Sequence, residues 1–485
     1  MTARSVERWE VAILGAGFGG LAMAHELAES GVADAVVPLE DHDVGGTWRA
    51  NSYPGAACDV PSHLYSLSFA PNPHWSRTYA TQPEILAYVE DCYDRFDVRR
   101  TVRQSTPIVA LAWQDDRRCW RLRDARGRHY DARVVVSAVG LFHTPAVPAI
   151  PGLDGFGGTV FHSARWDHGH DLTGRRVAVV GTGASAIQVV PAIVERAGHV
   201  DLYQRTPAWI LPRKDEAFTD AQKQAFAADP ALARCHRDEL YDQYERTTAF
   251  IAGDPAAEMI DGIARGYLEH KVADPELRAR LTPAYPVGCK RVLVSSAFYP
   301  AVQRDDVELV TDPIERVTAT GVRTVGGRER ACDTLVLCTG FRATEYLRGI
   351  DVTGRAGTRL HDHWAGVPRA YHGLAVPGFP NLFLLYGPNT NQGGNSILLI
   401  LEAQAHWVAA ALAAMGEGTT AEVRPEAMRR YAAELTTALD ATVWRDGCAS
   451  YFRTPGGDIV TQLPHTSAWY RDRTSTFDAG DFVLC

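Results

Sequence analysis

Residues 10–29, EVAILGAGFGGLAMAHELAE, decide the fold. Glu10-Val-Ala-Ile-Leu14 is an apolar run suited to a buried strand, Gly15-Ala-Gly17-Phe-Gly-Gly20 follows at once, and residues 21–29 turn helical. Strand, GxGxxG turn and helix together form the unit that grips a dinucleotide. Gly15 permits the tight turn, Gly17 lets the backbone approach a pyrophosphate, Gly20 lets the helix pack closely, and the helix N-terminus adds partial positive charge. The turn alone is a weak sign, but residues 35–39 form a second apolar run ending at Glu40, where a carboxylate would hold ribose hydroxyls.

The same grammar returns further on. Arg176-Val-Ala-Val-Val180 enters Gly181-Thr182-Gly183-Ala-Ser185-Ala186, and residues 187–196, which include Gln188, read as the following helix. Thr182, Ser185 and Gln188 thereby join the glycines as cofactor-binding candidates. The second strand, residues 200–203, ends in Gln204-Arg205-Thr206, placing a cation where the first unit has Glu40. Arginine suits a 2′-phosphate and an acid does not, so this site is expected to prefer NADP to NAD, with a solvated surface charge as the alternative. Two nucleotide sites of opposite polarity imply FAD and NADPH held for hydride transfer. A disulfide reductase would need a redox cysteine pair beside its flavin, and the nearest cysteine to Cys58 in sequence is Cys92.

Between the glycine loops lies Phe156–Asp167, FGGTVFHSARWD. His162 and Trp166 are four apart, the spacing of a packed pair on one helical face; their place between the two units also makes them candidates for domain coupling. Nearer the N-terminus, Gly45-Gly46-Thr47-Trp48, Tyr53-Pro54-Gly55 and Cys58-Asp59 form a loop too rich in Gly, Pro and aromatics for a helix. Following the ribose-binding strand directly, it belongs near the bound cofactor; Asp59 on its own reads as a turn former. Residues 113–122 and 131–140 read as strands, and Pro145, Pro148 and Pro151 mark a linker. Residues 215–281 are polar and helical. Lys290-Arg291 on composition reads as a solvated charge pair. Residues 333–340 repeat the strand-then-glycine pattern of 131–140, Gly387-Pro-Asn-Thr-Asn391 follows a strand, a helix runs over about 396–415, and the tail after Arg471 reads as irregular.

The expected fold is therefore α/β, with two Rossmann-like dinucleotide-binding domains and a helical insertion in the second. Residues 1–145 and 341–485 form the FAD domain, 146–214 and 286–340 the NADP domain, and 215–285 the insertion. The 485 residues are 46% hydrophobic and 22% charged, with no apolar run near the roughly 20 residues of a membrane span. No signal peptide is visible in MTARSVERWE, so a cytoplasmic location is expected. A net charge of -9 argues against nucleic acid as a partner and for small molecules. Cysteines at 58, 92, 119, 235, 289, 332, 338, 448 and 485 show no CxxC and no clustering with histidine, so neither a metal centre nor a disulfide framework is expected.

These motifs resemble the class B flavoprotein monooxygenases of the Baeyer-Villiger type. Phe156, Gly158, His162, Trp166 and Asp167 fill that family's FxGxxxHxxxW pattern, and Gly46, Trp48, Tyr53, Pro54, Gly55 and Asp59 fill GxWxxxx[FY]PGxxxD. The likeness extends over essentially the whole chain, and Trp166-Asp167 favours the Baeyer-Villiger branch over the N- and S-oxygenating one. It implies FAD and NADPH as cofactors, and a ketone and O2 as substrates. Oxygen would be inserted beside the carbonyl through a flavin peroxide to give an ester or lactone. It implies Arg291 on the flavin face with Asp59 as partner, Lys290 and Arg205 on the 2′-phosphate, and Tyr65 and Val109 beside FAD by position. His162 and Trp166 become coupling residues and not proton carriers. Val139, Cys338 and Leu463 depart from the family's usual residues. Rival readings are a heteroatom oxygenase, an NADPH oxidase and a non-catalytic flavin-binding module.

Overall fold

The computed structural model describes residues 6–32, 34–38, 43–246, 251–416, 418–445 and 450–485. The opening apolar run lies within the strand Glu7–Leu14, which pairs in parallel with Ala35–Pro38 on one side and His129–Ser137 on the other. Successive strand residues point to opposite faces. Val11 and Ile13 accordingly enter one hydrophobic cluster, Ala12 and Leu14 another, and all four are buried. A strand covered on both faces has to be apolar throughout, which is why this stretch shows no alternation. The full sheet runs Asp351–Thr353, Ile108–Gln114, Cys119–Asp124, His129–Ser137, Glu7–Leu14, Ala35–Pro38, Val102–Arg103, and Leu382–Leu384 also pairs with His129–Ser137.

The helix Phe18–Glu29 packs over this sheet with Ile397–Ala414. The latter is the one helix among the described residues long and apolar enough to span a bilayer, with mean hydropathy 1.7. It is instead a core element: Gln404 at its middle is fully buried, accepts from the Tyr386 N–H and donates to the Tyr470 hydroxyl.

A second, wholly parallel sheet has the order Val307–Val310, His199–Tyr203, Arg176–Val180, Thr334–Leu337, Thr159–His162. The polar stretch beyond it forms four helices, Asp220–Ala228, Pro230–Glu245, Pro255–Lys271 and Pro275–Leu281. Thr219, Asp229, Asp254 and Asp274 cap their N-termini, and three of the helices open on proline, the residue that loses nothing at a first helical position.

Four expectations need correction. The loop after Gly45 is not free of helix, because Thr47–Ala50 forms one short helical turn entered through Gly46 at φ +53. Residues 113–122 are not one strand but parts of two antiparallel strands, Ile108–Gln114 and Cys119–Asp124, folded at a turn where Arg118 adopts φ +49. His162 and Trp166 do not share a helical face, because His162 ends a strand and a short 3-10 turn, Ser163–Arg165, separates them. The tail is not irregular. Ser467–Arg473 is helical and Phe482–Leu484 pairs with Ala421–Val423, drawn in by Phe482, which packs against Trp407 and Tyr371. That contact joins residues remote in sequence and leaves no local trace.

Candidate functional site

Both glycine turns open onto one cavity of about 2030 Å³. Gly15, Gly17, Gly46, Thr47, Trp48, Asp59, Tyr65 and Val109 line one part of it; Gly181, Thr182, Gly183, Ser185, Gln188, Arg205, Thr206, Lys290 and Arg291 line another. Gly20 sits behind the first turn, where an added Cβ would lie 2.0 Å from the Gly15 carbonyl oxygen, so only glycine lets the helix approach. Glu40 lies outside the described residues.

Asp59 and Arg291 are brought together from 232 positions apart in the chain. The Arg291 guanidinium donates through Nε to Asp59 Oδ2 at 3.0 Å and through Nη2 to both carboxylate oxygens, at 2.9 and 2.8 Å. Each side chain is about a quarter exposed, at 26% and 25%, and both line the cavity. The carboxylate charge holds the guanidinium even more firmly protonated than usual, against the opposing effect of burial. Tyr386 and Tyr451 lie near the same guanidinium, and Phe142 packs edge-on against both tyrosines, with centroids 6.3 Å apart in each case.

The neighbouring Lys290 lives in a different field. Its Nζ donates to Thr206 Oγ1 at 2.9 Å and sits 4.8 Å over the Tyr285 ring. Burial, and then the charge of Arg205, lower its pKa. Among the described residues no carboxylate lies within ion-pair distance of Lys290 or Arg205. Two cations, a hydroxyl and the Thr182 side chain, which donates to the Thr206 carbonyl at 2.9 Å, fit a phosphate monoester. The flavin part of the cavity also fits its group: Asn51 lines it with Oδ1 buried and unpartnered, and the first glycine turn presents its backbone there.

The two halves are stitched by Tyr53, whose hydroxyl donates to Gln188 Oε1 at 2.9 Å while Gln188 Nε2 donates to the Ala57 carbonyl at 2.9 Å. Burial pushes the Tyr53 hydroxyl up to about 12. Gly55, at φ +80, approaches the Gln188 carbonyl so closely that a Cβ would meet it at 2.6 Å. This explains why a Tyr-Pro-Gly turn is needed at that point in the loop.

His162 and Trp166 do not line the cavity. His162 is buried, accepts from the Ala164 N–H through Nδ1 at 3.0 Å, and faces the Phe341 ring at 5.9 Å. Burial lowers its pKa. Trp166 packs on Phe161, centroids 4.9 Å apart. The segment reaches the first half of the molecule through His168, 2.8 Å from Ser52 Oγ.

Sequence reading passed over Asn51, Phe142, Tyr386, Gln392 and Tyr451. Tyr386 carried one usable signal, its place before Gly387-Pro-Asn; in the fold it adopts φ +56, unusual for an aromatic residue. Among the described residues one group of possible metal ligands, His199, Asp201 and Glu308, lies on the second sheet, but Arg330 already pairs with Glu308 at 2.6 Å. Cys289 is disulfide-bonded, which departs from the expectation that the scattered cysteines form no disulfide framework.

Two nucleotide-binding units facing one cavity define a pyridine-nucleotide-dependent flavoprotein. Residues 12–225 match the family described as pyridine nucleotide-disulphide oxidoreductase. A Baeyer-Villiger monooxygenase of Pseudomonas aeruginosa is 42% identical over 100% of this chain and 93% of its own length, and another of Streptomyces coelicolor is 41% identical over 99% and 93%. The closed crystal structure of cyclohexanone monooxygenase superposes with TM-score 0.88 at 29% identity, covering 99% of this chain and 100% of that one. Oxidised steroid monooxygenase bound to NADP gives 0.87 at 31%, covering 98% and 99%. The chain belongs to the Baeyer-Villiger monooxygenases. It is an NADPH-dependent flavoprotein monooxygenase with FAD as its second cofactor.

Proposed function

We propose that the Arg291–Asp59 pair is the catalytic centre at which this enzyme inserts one oxygen atom of O2 beside a ketone carbonyl, giving an ester or lactone. The observation that carries this assignment is a fixed cation, paired by a carboxylate on one side and open to the cavity on the other. FAD, when bound, would supply the redox chemistry that draws electrons from NADPH and activates O2. Everything else is the work of the chain. Arg291 stays protonated at any working pH and stabilises negative charge developing on the carbonyl oxygen. Asp59 orients the guanidinium and touches no reacting atom. Gly15, Gly17, Gly46, Thr47, Trp48, Tyr65 and Val109 hold the flavin cofactor, with Gly20 supporting them. Gly181, Thr182, Gly183, Ser185 and Gln188 hold the nicotinamide cofactor, and Arg205, Thr206 and Lys290 take its 2′-phosphate.

Residues 1–145 with 341–485 act as the FAD domain, 146–214 with 286–340 as the NADP domain, and 215–285 as the insertion. His162 and Trp166 govern how the two domains move together, and the enzyme works in the cytoplasm on a small ketone. Incubating the holoenzyme with NADPH, 18O2 and a ketone panel tests the reading. An ester carrying one 18O is expected. Oxidation of amines or sulfides with no ketone converted, or peroxide release that no ketone suppresses, would overturn it.

A further inference from the structure

Gln392 lines the cavity on the stretch after Gly387-Pro-Asn-Thr, yet it is 98% shielded from solvent, its relative exposure being 2%. Its amide cannot turn freely. Nε2 donates to Ser467 Oγ at 2.6 Å, and the Ser467 hydroxyl donates to Glu245 Oε2 at 2.7 Å. The same carboxylate accepts from Asn395 Nδ2 at 2.8 Å and from the Ala468 N–H at 2.7 Å, so it stays an acceptor and cannot feed a proton back to Ser467. With its one hydrogen committed to Glu245, Ser467 can only accept from Gln392. The amide nitrogen is thereby fixed toward Ser467, and the amide oxygen is left buried with no partner among the described residues. A buried acceptor without a donor is costly, and the expense is recovered when a ligand supplies one.

We propose that Gln392 Oε1 is a hydrogen-bond acceptor for the substrate, so that the enzyme favours ketones bearing a hydroxyl or N–H donor away from the reacting carbonyl. Gln392 is then a specificity residue. Ser467 and Glu245 are positioning residues, and the helix Pro230–Glu245 reaches from the insertion to set the polarity of the substrate wall. This inference rests on the ketone-oxygenation reading of the cavity, and its test is separable from that reading. A wall that only excludes water favours a methyl group over a hydroxyl, because the hydroxyl pays more to leave water; a wall with a waiting acceptor reverses the order. The sign of the preference is therefore diagnostic.

The probes are two shape-matched pairs, 4-hydroxycyclohexanone with 4-methylcyclohexanone and 4-hydroxyacetophenone with 4-methylacetophenone. Each is compared by kcat/KM and by equilibrium binding to the oxidised holoenzyme with NADP+. The hydroxyl member of at least one pair is expected to be favoured roughly three- to tenfold. Gln392→Leu, of similar size, is expected to abolish that preference. Ser467→Ala, which leaves the cavity wall residue in place, should lower it, and Ser467→Thr should retain it. Equal treatment of both members of both pairs, or a preference that survives Gln392→Leu and Ser467→Ala, would overturn the inference. Binding discrimination without any ester formed would support it while counting against ketone oxygenation.

Discussion

Lys290 and Arg291 are adjacent cations with opposite electrostatic settings. Arg291 faces a carboxylate that grips it with three hydrogen bonds and raises its proton affinity. Lys290 faces another cation, and burial together with Arg205 lowers its pKa. Neither property belongs to the residue type, and both come from what the fold places opposite. A cation already paired is rigid and pre-oriented, suited to meet charge that develops only during reaction. Two cations left unneutralised are poised for a ligand that arrives with its own negative charge. One residue step along the chain therefore separates a site built for a transition state from a site built for a bound phosphate.

The largest test of this contrast is Arg291→Ala. Oxygenation of a ketone should fall by about a hundred- to a thousandfold, roughly 3 to 4 kcal/mol, while FAD stays bound. Ester formation at near the parental rate would place the catalytic cation elsewhere. Arg205→Ala should act on a different quantity, lowering the kcat/KM ratio of NADPH to NADH by about ten- to a hundredfold, the worth of a charged hydrogen bond of roughly 1.5 to 3 kcal/mol. An equal loss with both cofactors would break the phosphate assignment. Asp59→Ala is expected to cost on the order of tenfold in ester formation, because the guanidinium remains and only its orientation is loosened. If it proved as damaging as Arg291→Ala, the carboxylate would be more than an orienting partner.

How much of this was readable in the chain depends on how local the cause is. The glycine turns, the helical character of residues 215–281 and the Tyr-Pro-Gly turn rest on causes within a few residues, and they fell where the sequence placed them, although the separate helices and their caps were not read. The Asp59–Arg291 pair spans 232 positions. Taken locally, Asp59 looked like a turn former and Arg291 like a solvated charge; only the likeness to a known family paired them. Tyr451 and Gln392 were missed for the same reason, since each takes its place from residues remote in sequence, Phe142 and Arg291 for Tyr451 and Ser467 for Gln392. The hairpin at 113–122 was misread because its turn, residues 115–118, consists of charged residues instead of glycine or proline, so nothing local marks the break between the two strands.

The smallest expected effect is the most specific to Lys290, and it concerns pH. In the free enzyme the pKa of this lysine lies below its ordinary 10.5, through burial and the charge of Arg205. A bound 2′-phosphate, a dianion above about pH 6, favours the charged ammonium and raises that pKa again. Between the free and bound values the enzyme takes up a proton on binding NADPH. Affinity is thus constant below the free-enzyme pKa and declines as pH rises through it. The NADPH-to-NADH ratio of kcat/KM should therefore fall as pH rises through the alkaline range below 10.5, where the free lysine gives up its proton and the phosphate-bound one keeps it. In Arg205→Ala the repulsive neighbour is gone, so the fall should shift to higher pH even though the ratio is lower throughout. A ratio flat across this range in the parent enzyme, or a fall at the same pH in Arg205→Ala, would mean that Lys290 does not sense the phosphate together with Arg205.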